Sequence, residues 1–122
     1  MMKLFDSELK VMEVLWREGD MTAKRISDIL KEETGWNMNT TYTVIKKCIA
    51  KDAIRRSEPN FMCHALITRE EVQEAETEEF LGRFFGGAPD LLFASLLNSR
   101  KLSGEQIEKL RRMISETDSF TE

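Results

Sequence analysis

From Thr34 to Lys51 the chain carries no aspartate or glutamate, although 33% of its 122 residues are charged. The window holds three lysines, Lys46, Lys47 and Lys51, among the small polar side chains of Asn37, Asn39, Thr40, Thr41 and Thr43. These groups suit recognition rather than bond making. Hydroxyls and amides exchange hydrogen bonds, and ammonium groups neutralise anions. A surface that meets phosphate must also lack carboxylates, which the backbone would repel. At about 100° per residue of an α-helix, Thr41, Val44, Ile45, Cys48 and Ile49 share one arc, and Asn39, Thr40, Thr43, Lys46 and Lys47 share the opposite one. The first arc must be buried, which leaves the second to touch a ligand. An amphipathic pattern ending at Gly35 precedes the window. A short helix, a glycine turn and a helix exposing Asn, Thr and Lys are what a helix-turn-helix needs to enter the DNA major groove.

On the exposed arc, Thr40 and Thr43 suit base edges or thymine methyls, and also phosphate at the helix N-terminus. Lys47 can reach a guanine edge or a phosphate, and Lys46 suits phosphate. Lys24 and Arg25 fall in the first turn of the preceding helix, where cations oppose the helix dipole; phosphate anchoring is a reason for them to be there. Taken singly, each of these cations also reads as a solvated surface residue. Tyr42 fits either a backbone contact or packing against a neighbouring hairpin. Trp36 is expected to brace the turn, and Trp16 to lie in the core.

Catalytic chemistry finds no support. The two cysteines, Cys48 and Cys63, and the single histidine, His64, form neither a C-x-x-C pair nor a cluster. Cys48 falls on the apolar arc. Cys63 and His64 are neighbours in a predicted strand and therefore point to opposite faces, a poor metal pair. Glu70, Glu71, Glu74, Glu76, Glu78 and Glu79 read as a solvated helix face without the apolar setting that tunes an acid–base pair. No enzyme activity, cofactor or metal is expected.

The elements that must position the polar arc follow from capping and periodicity. Asp6 or Ser7 can cap a first helix over 7–18, with Leu9, Val11, Met12, Leu15 and Trp16 as its stripe and Gly19 at its end. Thr22 caps a second helix over 23–33, closed by Gly35, and Asn39 caps a third over 40–52. Ala53 to Ser57 reads as a strand, Glu58-Pro59-Asn60 as a turn and Phe61 to Ile67 as the returning strand. Three helices and a hairpin make a winged helix-turn-helix, with Arg55 and Arg56 on the wing placed to meet phosphate.

Composition changes at Thr68. An acidic helix runs to about Phe85, Gly86-Gly87-Ala88-Pro89 breaks it, and an apolar helix covers 89–98. Ser103-Gly104-Glu105-Gln106 is a capping box for a last helix striped by Ile107, Leu110, Met113 and Ile114. The tail after Thr117 is expected to fray. The predicted architecture is thus mostly α: a winged-helix domain over 1–67 and an all-helical unit over 68–122. The second is too small to bury its Phe and Leu side chains alone. Phe80, Leu81, Phe84, Phe85, Leu92, Leu96, Leu110 and Ile114 are the candidate contacts with a second copy, in a homodimer; packing back on the chain's own winged helix is the alternative.

The formal net charge of −4 counts against a generic nucleic-acid binder, but its distribution does not. Residues 1–67 hold 11 Lys+Arg and 10 Asp+Glu, whereas residues 68–122 hold 7 and 12. No apolar run approaches the ~18 residues needed to span a bilayer, and the N-terminus lacks the apolar core of a signal peptide. A cytoplasmic protein without membrane insertion is expected.

Nearly the whole chain resembles the penicillinase and methicillin-resistance repressors (BlaI/MecI type). Asp6-Ser7-Glu8-Leu9-Lys10-Val11-Met12-Glu13-Val14-Leu15-Trp16 is similar to that family's first helix, Asn39-Thr40-Thr41-Tyr42-Thr43-Val44-Ile45-Lys46-Lys47 to its recognition helix, and Leu102-Ser103-Gly104-Glu105 to the start of its last helix. The resemblance implies a dimeric repressor bound to double-stranded DNA at a pseudo-palindromic operator. It also implies a membrane sensor protease whose signal leads to cleavage within the dimerisation helices. The bond usually cut is Asn-Phe; the matching position here is Ser95-Leu96. Asn39 and Lys47 stand where the family often has Lys and Arg, and Pro59-Asn60-Phe61 replaces its usual wing tip, so the operator sequence does not transfer. The cysteine pair of the copper-responsive branch is missing, since no cysteine follows Cys63. Two other classes compete with a β-lactam-resistance repressor: a one-component regulator with a small-molecule pocket in its C-terminal helices, and a winged-helix protein-interaction module that never meets DNA.

Overall fold

A computed structural model describes residues 2–117. Helix α1 (Asp6–Glu18) leads through Gly19 to a two-residue strand β1 (Met21–Thr22). Helix α2 (Ala23–Thr34) and helix α3 (Met38–Ala50) follow, then strands β2 (Ile54–Ser57) and β3 (Met62–Ala65). The remaining helices are α4 (Arg69–Phe84), α5 (Pro89–Asn98) and α6 (Gly104–Ser115). The mostly helical, winged-helix fold class read from the sequence is the one observed. The tail after Thr117, expected to fray, lies outside the described residues.

The chain forms two compact units, Met1–Glu76 and Thr77–Glu122. In the first, Val11, Met12, Val14 and Leu15 of α1 meet Ala23, Ile26 and Leu30 of α2 and Val44, Ile45 and Cys48 of α3 in one core. Ile54, Cys63 and Val72 close it from the hairpin and α4. Full burial of each large side chain contributes about 1.5–3 kcal/mol. In the second unit, neither α5 nor α6 has a fully buried residue.

Three local expectations change. The sequence reading contains no β1, yet Met21 pairs with Cys63 and Thr22 with Met62, so the sheet has three strands in the order β1-β3-β2. Neither Asp6 nor Ser7 caps α1: Phe5 holds the N-cap position, and the Glu8 carboxylate accepts the Phe5 N–H at 2.7 Å. Trp16 is half-buried at the rim of the core rather than inside it. Its indole Nε1 donates to the Ile67 carbonyl at 2.9 Å, so the polar edge of the ring is satisfied.

One buried ion pair fixes α3 against α1. Glu8 is 1% exposed, and its Oε1 accepts from Lys51 Nζ at 2.6 Å. Lys51 also donates to the Lys3 carbonyl at 2.7 Å and stands 4.1 Å from the centre of the Phe5 ring. The start of α1 and the residue ending α3 are thereby joined. Burial pushes the Glu8 carboxyl up, but the Lys51 ammonium and the Phe5 N–H outweigh it and hold the group below its ordinary value.

A carboxyl whose folded pKa is depressed stabilises the fold above its unfolded pKa, and that contribution is lost as pH falls through the folded value. Thermal unfolding of the wild type should therefore lose stability below the ordinary carboxylate range, about pH 4.3, more steeply than that of Glu8→Gln. Lys51→Ala should cost about 3 kcal/mol at neutral pH, because it leaves a buried carboxylate unpaired. Parallel pH profiles for wild type and Glu8→Gln would contradict this role.

Candidate nucleic-acid interface

Helix α2 is capped by Thr22, whose Oγ1 accepts the Arg25 N–H at 3.1 Å. It ends at Gly35, whose φ of 79° and ψ of 7° lie in the left-handed region that a residue without Cβ enters freely. The chain turns over Trp36, half-buried against the core, and starts α3 at Met38. The cap is Asn37, not Asn39: its Oδ1 accepts the Thr40 N–H at 2.8 Å. The helix therefore begins two residues earlier than the sequence reading places it, and Asn39 lies within its first turn.

Along α3 the two arcs separate. Thr41, Val44, Ile45 and Cys48 are buried, while Asn39, Thr40, Thr43, Lys46 and Lys47 are exposed. Met38 is 51% exposed at the start of the helix and joins the same outward region. Among the described residues, neither Lys46 nor Lys47 has an ion-pair partner. Lys24 is exposed at the start of α2 and lies 3.7 Å from Asp28 one turn later, an exposed pair of small energetic weight.

The wing packs against α3 through rings. Tyr42 and Phe61 meet edge-on, with centroids 5.7 Å apart and planes at 83°. Strand register sets the arginines apart: Arg55 is opposite His64, and Arg56 is opposite Cys63, so the two arginines point to opposite sheet faces. Arg56 lies over the Phe61 ring and pairs with Glu58. Arg55 is exposed and has no ion-pair partner among the described residues.

His64 takes part in a chain of contacts that sequence reasoning missed. Its Nδ1 lies 2.7 Å from Asp20 Oδ2, and its Nε2 lies 2.7 Å from Ser57 Oγ. Asp20, His64 and Ser57 follow the order of a hydrolytic triad, but Asp20 lies in the bend before β1, His64 in β3 and Ser57 at the end of β2. Bracing the turn before β1 against the wing accounts for them fully. Nothing in the sequence signals the contact, because 44 residues separate Asp20 from His64.

Both thiols are shielded. Burial pushes Cys48 up to about 12 and Cys63 up to about 11. Among the described residues no three His, Cys, Asp or Glu side chains could hold a metal ion together.

In the second unit, Phe80, Phe84 and Ile114 are exposed, and Leu81, Phe85, Leu92, Leu96 and Leu110 are half-buried. Leu91, Phe93, Leu97 and Met113 add exposed apolar surface. Phe93, Leu110, Met113, Ile114 and Thr117 line an apolar cleft of 390 Å³. Ser95 and Leu96 lie in the C-terminal half of α5. Among the described residues, no single helix is long and apolar enough to cross a membrane.

A helix-turn-helix within three core helices, followed by a hairpin wing, defines a winged-helix protein. The chain belongs to the Penicillinase repressor family, whose model matches residues 4–116, and so to a class of winged-helix transcriptional regulators. It is 26% identical to the Penicillinase repressor of Bacillus licheniformis over 116 residues, covering 93% of this chain and 91% of that protein. It is 22% identical to the Methicillin resistance regulatory protein MecI of Staphylococcus aureus (strain N315) over 115 residues, covering 93% and 94%. The solution structure of the DNA binding domain of the repressor BlaI superposes with a TM-score of 0.52 at 24% identity, over 57% of this chain and 93% of that one. This last likeness concerns the fold.

If Asn37 is the cap, Asn37→Ala should lower stability by about 1 kcal/mol. Asn39→Ala should change it by less than about 0.5 kcal/mol. Chemical denaturation of the two variants distinguishes the positions, and the reverse ranking would return the cap to Asn39.

Proposed function

We propose that the chain is a transcriptional repressor of the β-lactam-resistance type. As a homodimer in the cytoplasm, it sets α3 of each copy into successive major grooves of a pseudo-palindromic operator. The carrying observation is the exposed arc of α3, where Lys46 and Lys47, beside Thr40 and Thr43, form no ion pair among the described residues. Exposed ammonium groups outside any ion pair, on an acid-free helix, are available to phosphate, and the threonines are short enough to let the helix approach base edges. Asn39 extends the same face. Lys24, Arg55 and Arg56 add cations on α2 and the wing.

Dimerisation is favoured by the apolar side chains of α4, α5 and α6, with Phe84 60% exposed and Ile114 56% exposed. Phe80, Leu81, Phe85, Leu92, Leu96 and Leu110 continue that surface. Joining two DNA-binding units makes the second half-site encounter intramolecular, which raises avidity by ~10²–10⁴. Loss of the dimer therefore releases the operator without touching α3. A membrane sensor protease acting at Ser95-Leu96 would achieve this, and because that bond lies within α5, the helix must first open locally.

A second reading rests on the apolar cleft bounded by Phe93, Leu110, Met113 and Ile114. A small apolar effector seated there would make this a one-component ligand-responsive regulator.

Replacing Lys46 and Lys47 together by Glu should weaken binding to a duplex from upstream of the chain's own gene by about tenfold or more. The log–log salt slope should fall by about 0.9 for each phosphate that the variant no longer neutralises. Electrophoretic mobility shift at several salt concentrations measures both. Unchanged affinity in a folded double variant would remove DNA binding from this surface and favour a protein-interaction module.

A further inference from the structure

Glu58 stands just after β2, at the turn into β3. Its Oε2 accepts from Arg56 Nε, and its Oε1 accepts the Phe61 N–H at 3.4 Å. The Arg56 guanidinium lies 3.6 Å from the centre of the Phe61 ring, which makes a T-shaped contact with Tyr42 of α3. Arg56 is thus held in two ways: an aromatic face supports its plane, and a carboxylate engages its N–H edge. That is how an arginine is oriented to receive a phosphate oxygen. Here a carboxylate already occupies the place. The Arg56 contact also holds the Glu58 carboxyl below its ordinary value.

The pair is exchangeable. The side chains of Arg56 and Glu58 are 45% and 60% exposed, so water solvates both and parting them costs little. The Phe61 ring supports the face of the guanidinium, whereas Glu58 engages its edge, so parting the ion pair leaves the ring contact available. Arg55 differs on each count, since it points to the other sheet face and has no carboxylate to displace among the described residues.

We propose that Glu58 is an internal stand-in for a DNA phosphate, keeping Arg56 aligned on Phe61 and neutralised until the duplex backbone takes its place. This rests on the DNA-binding reading above. Arg56 then adds a wing contact beside α3 only when a phosphate is presented close enough to displace Glu58. A cation that would otherwise bind any polyanion is held in check.

The test is a double-mutant cycle on the full chain, with Glu58→Gln, Arg56→Gln and the double variant. The probes are a duplex from upstream of the chain's own gene and a scrambled duplex of equal length and composition. Glu58→Gln should tighten binding by roughly two- to fivefold, the weight of an exposed ion pair, and the gain should vanish when Arg56 is also Gln. Thermal unfolding reports that the variants stay folded. No gain, or a gain that persists without Arg56, overturns the proposal; persistence would mean simple repulsion between Glu58 and DNA. In those cases the DNA-binding reading still stands if the Lys46/Lys47 charge reversal abolishes binding. If the wild type binds neither duplex in a salt-dependent way, both fall.

Discussion

Val44, Ile45 and Cys48 can reach the core only if α3 is rotated one way about its axis, and that rotation turns Thr40, Thr43, Lys46 and Lys47 outward. Burial on one side therefore determines what is presented on the other. The hydrophobic term supplies the force, since each of these side chains leaves water only in this orientation. The Glu8–Lys51 pair fixes the end of the same helix, and the Tyr42–Phe61 contact fixes the wing beside it. Rotation, end and flank of α3 are each set by a separate interaction.

Charge is distributed to match. The chain is acidic as a whole, with a formal net charge of −4, yet α3 contains no acid at all. Among the described residues its lysines have no ion-pair partner, whereas Arg17, Lys51, Arg56 and Arg69 are paired with carboxylates elsewhere in the first unit. Exposed lysines outside any ion pair are solvated where they stand, so these two remain available to an anion outside the chain.

Much of this was legible in the sequence because it depends on local rules. Helical periodicity located α1 to α3, composition, breaks and caps located α4 to α6, and the Thr22, Gly35 and Ser103 signals marked ends that the structure uses. What escaped depends on contacts between distant residues or on choices between chemically equal ones. Asn37 and Asn39 are equally good caps; the short turn after Gly35 decides between them. Strand β1 is two residues long and exists only because β3 offers an edge. Glu8 reads as an ordinary solvated residue of the first turn until Lys51, 43 residues away, arrives to bury it. The adjacent pair Arg55-Arg56 looks like one basic patch, and only strand register reveals two faces.

The second unit poses the complementary problem. Its helices were predictable from caps and breaks, but α5 and α6 have no fully buried side chain, so the apolar residues that wrote the pattern remain open to a partner or ligand. The role of α3 belongs to the first unit and can be tested without knowing that partner. Backbone amide shifts of the full chain, followed by NMR as duplex DNA is added, report directly which surface is engaged. Shifts should concentrate at Asn39, Thr40, Thr43, Lys46 and Lys47, with weaker ones at the start of α2 and on the wing. Shifts confined to α5 and α6, or none at duplex saturation, would contradict that role.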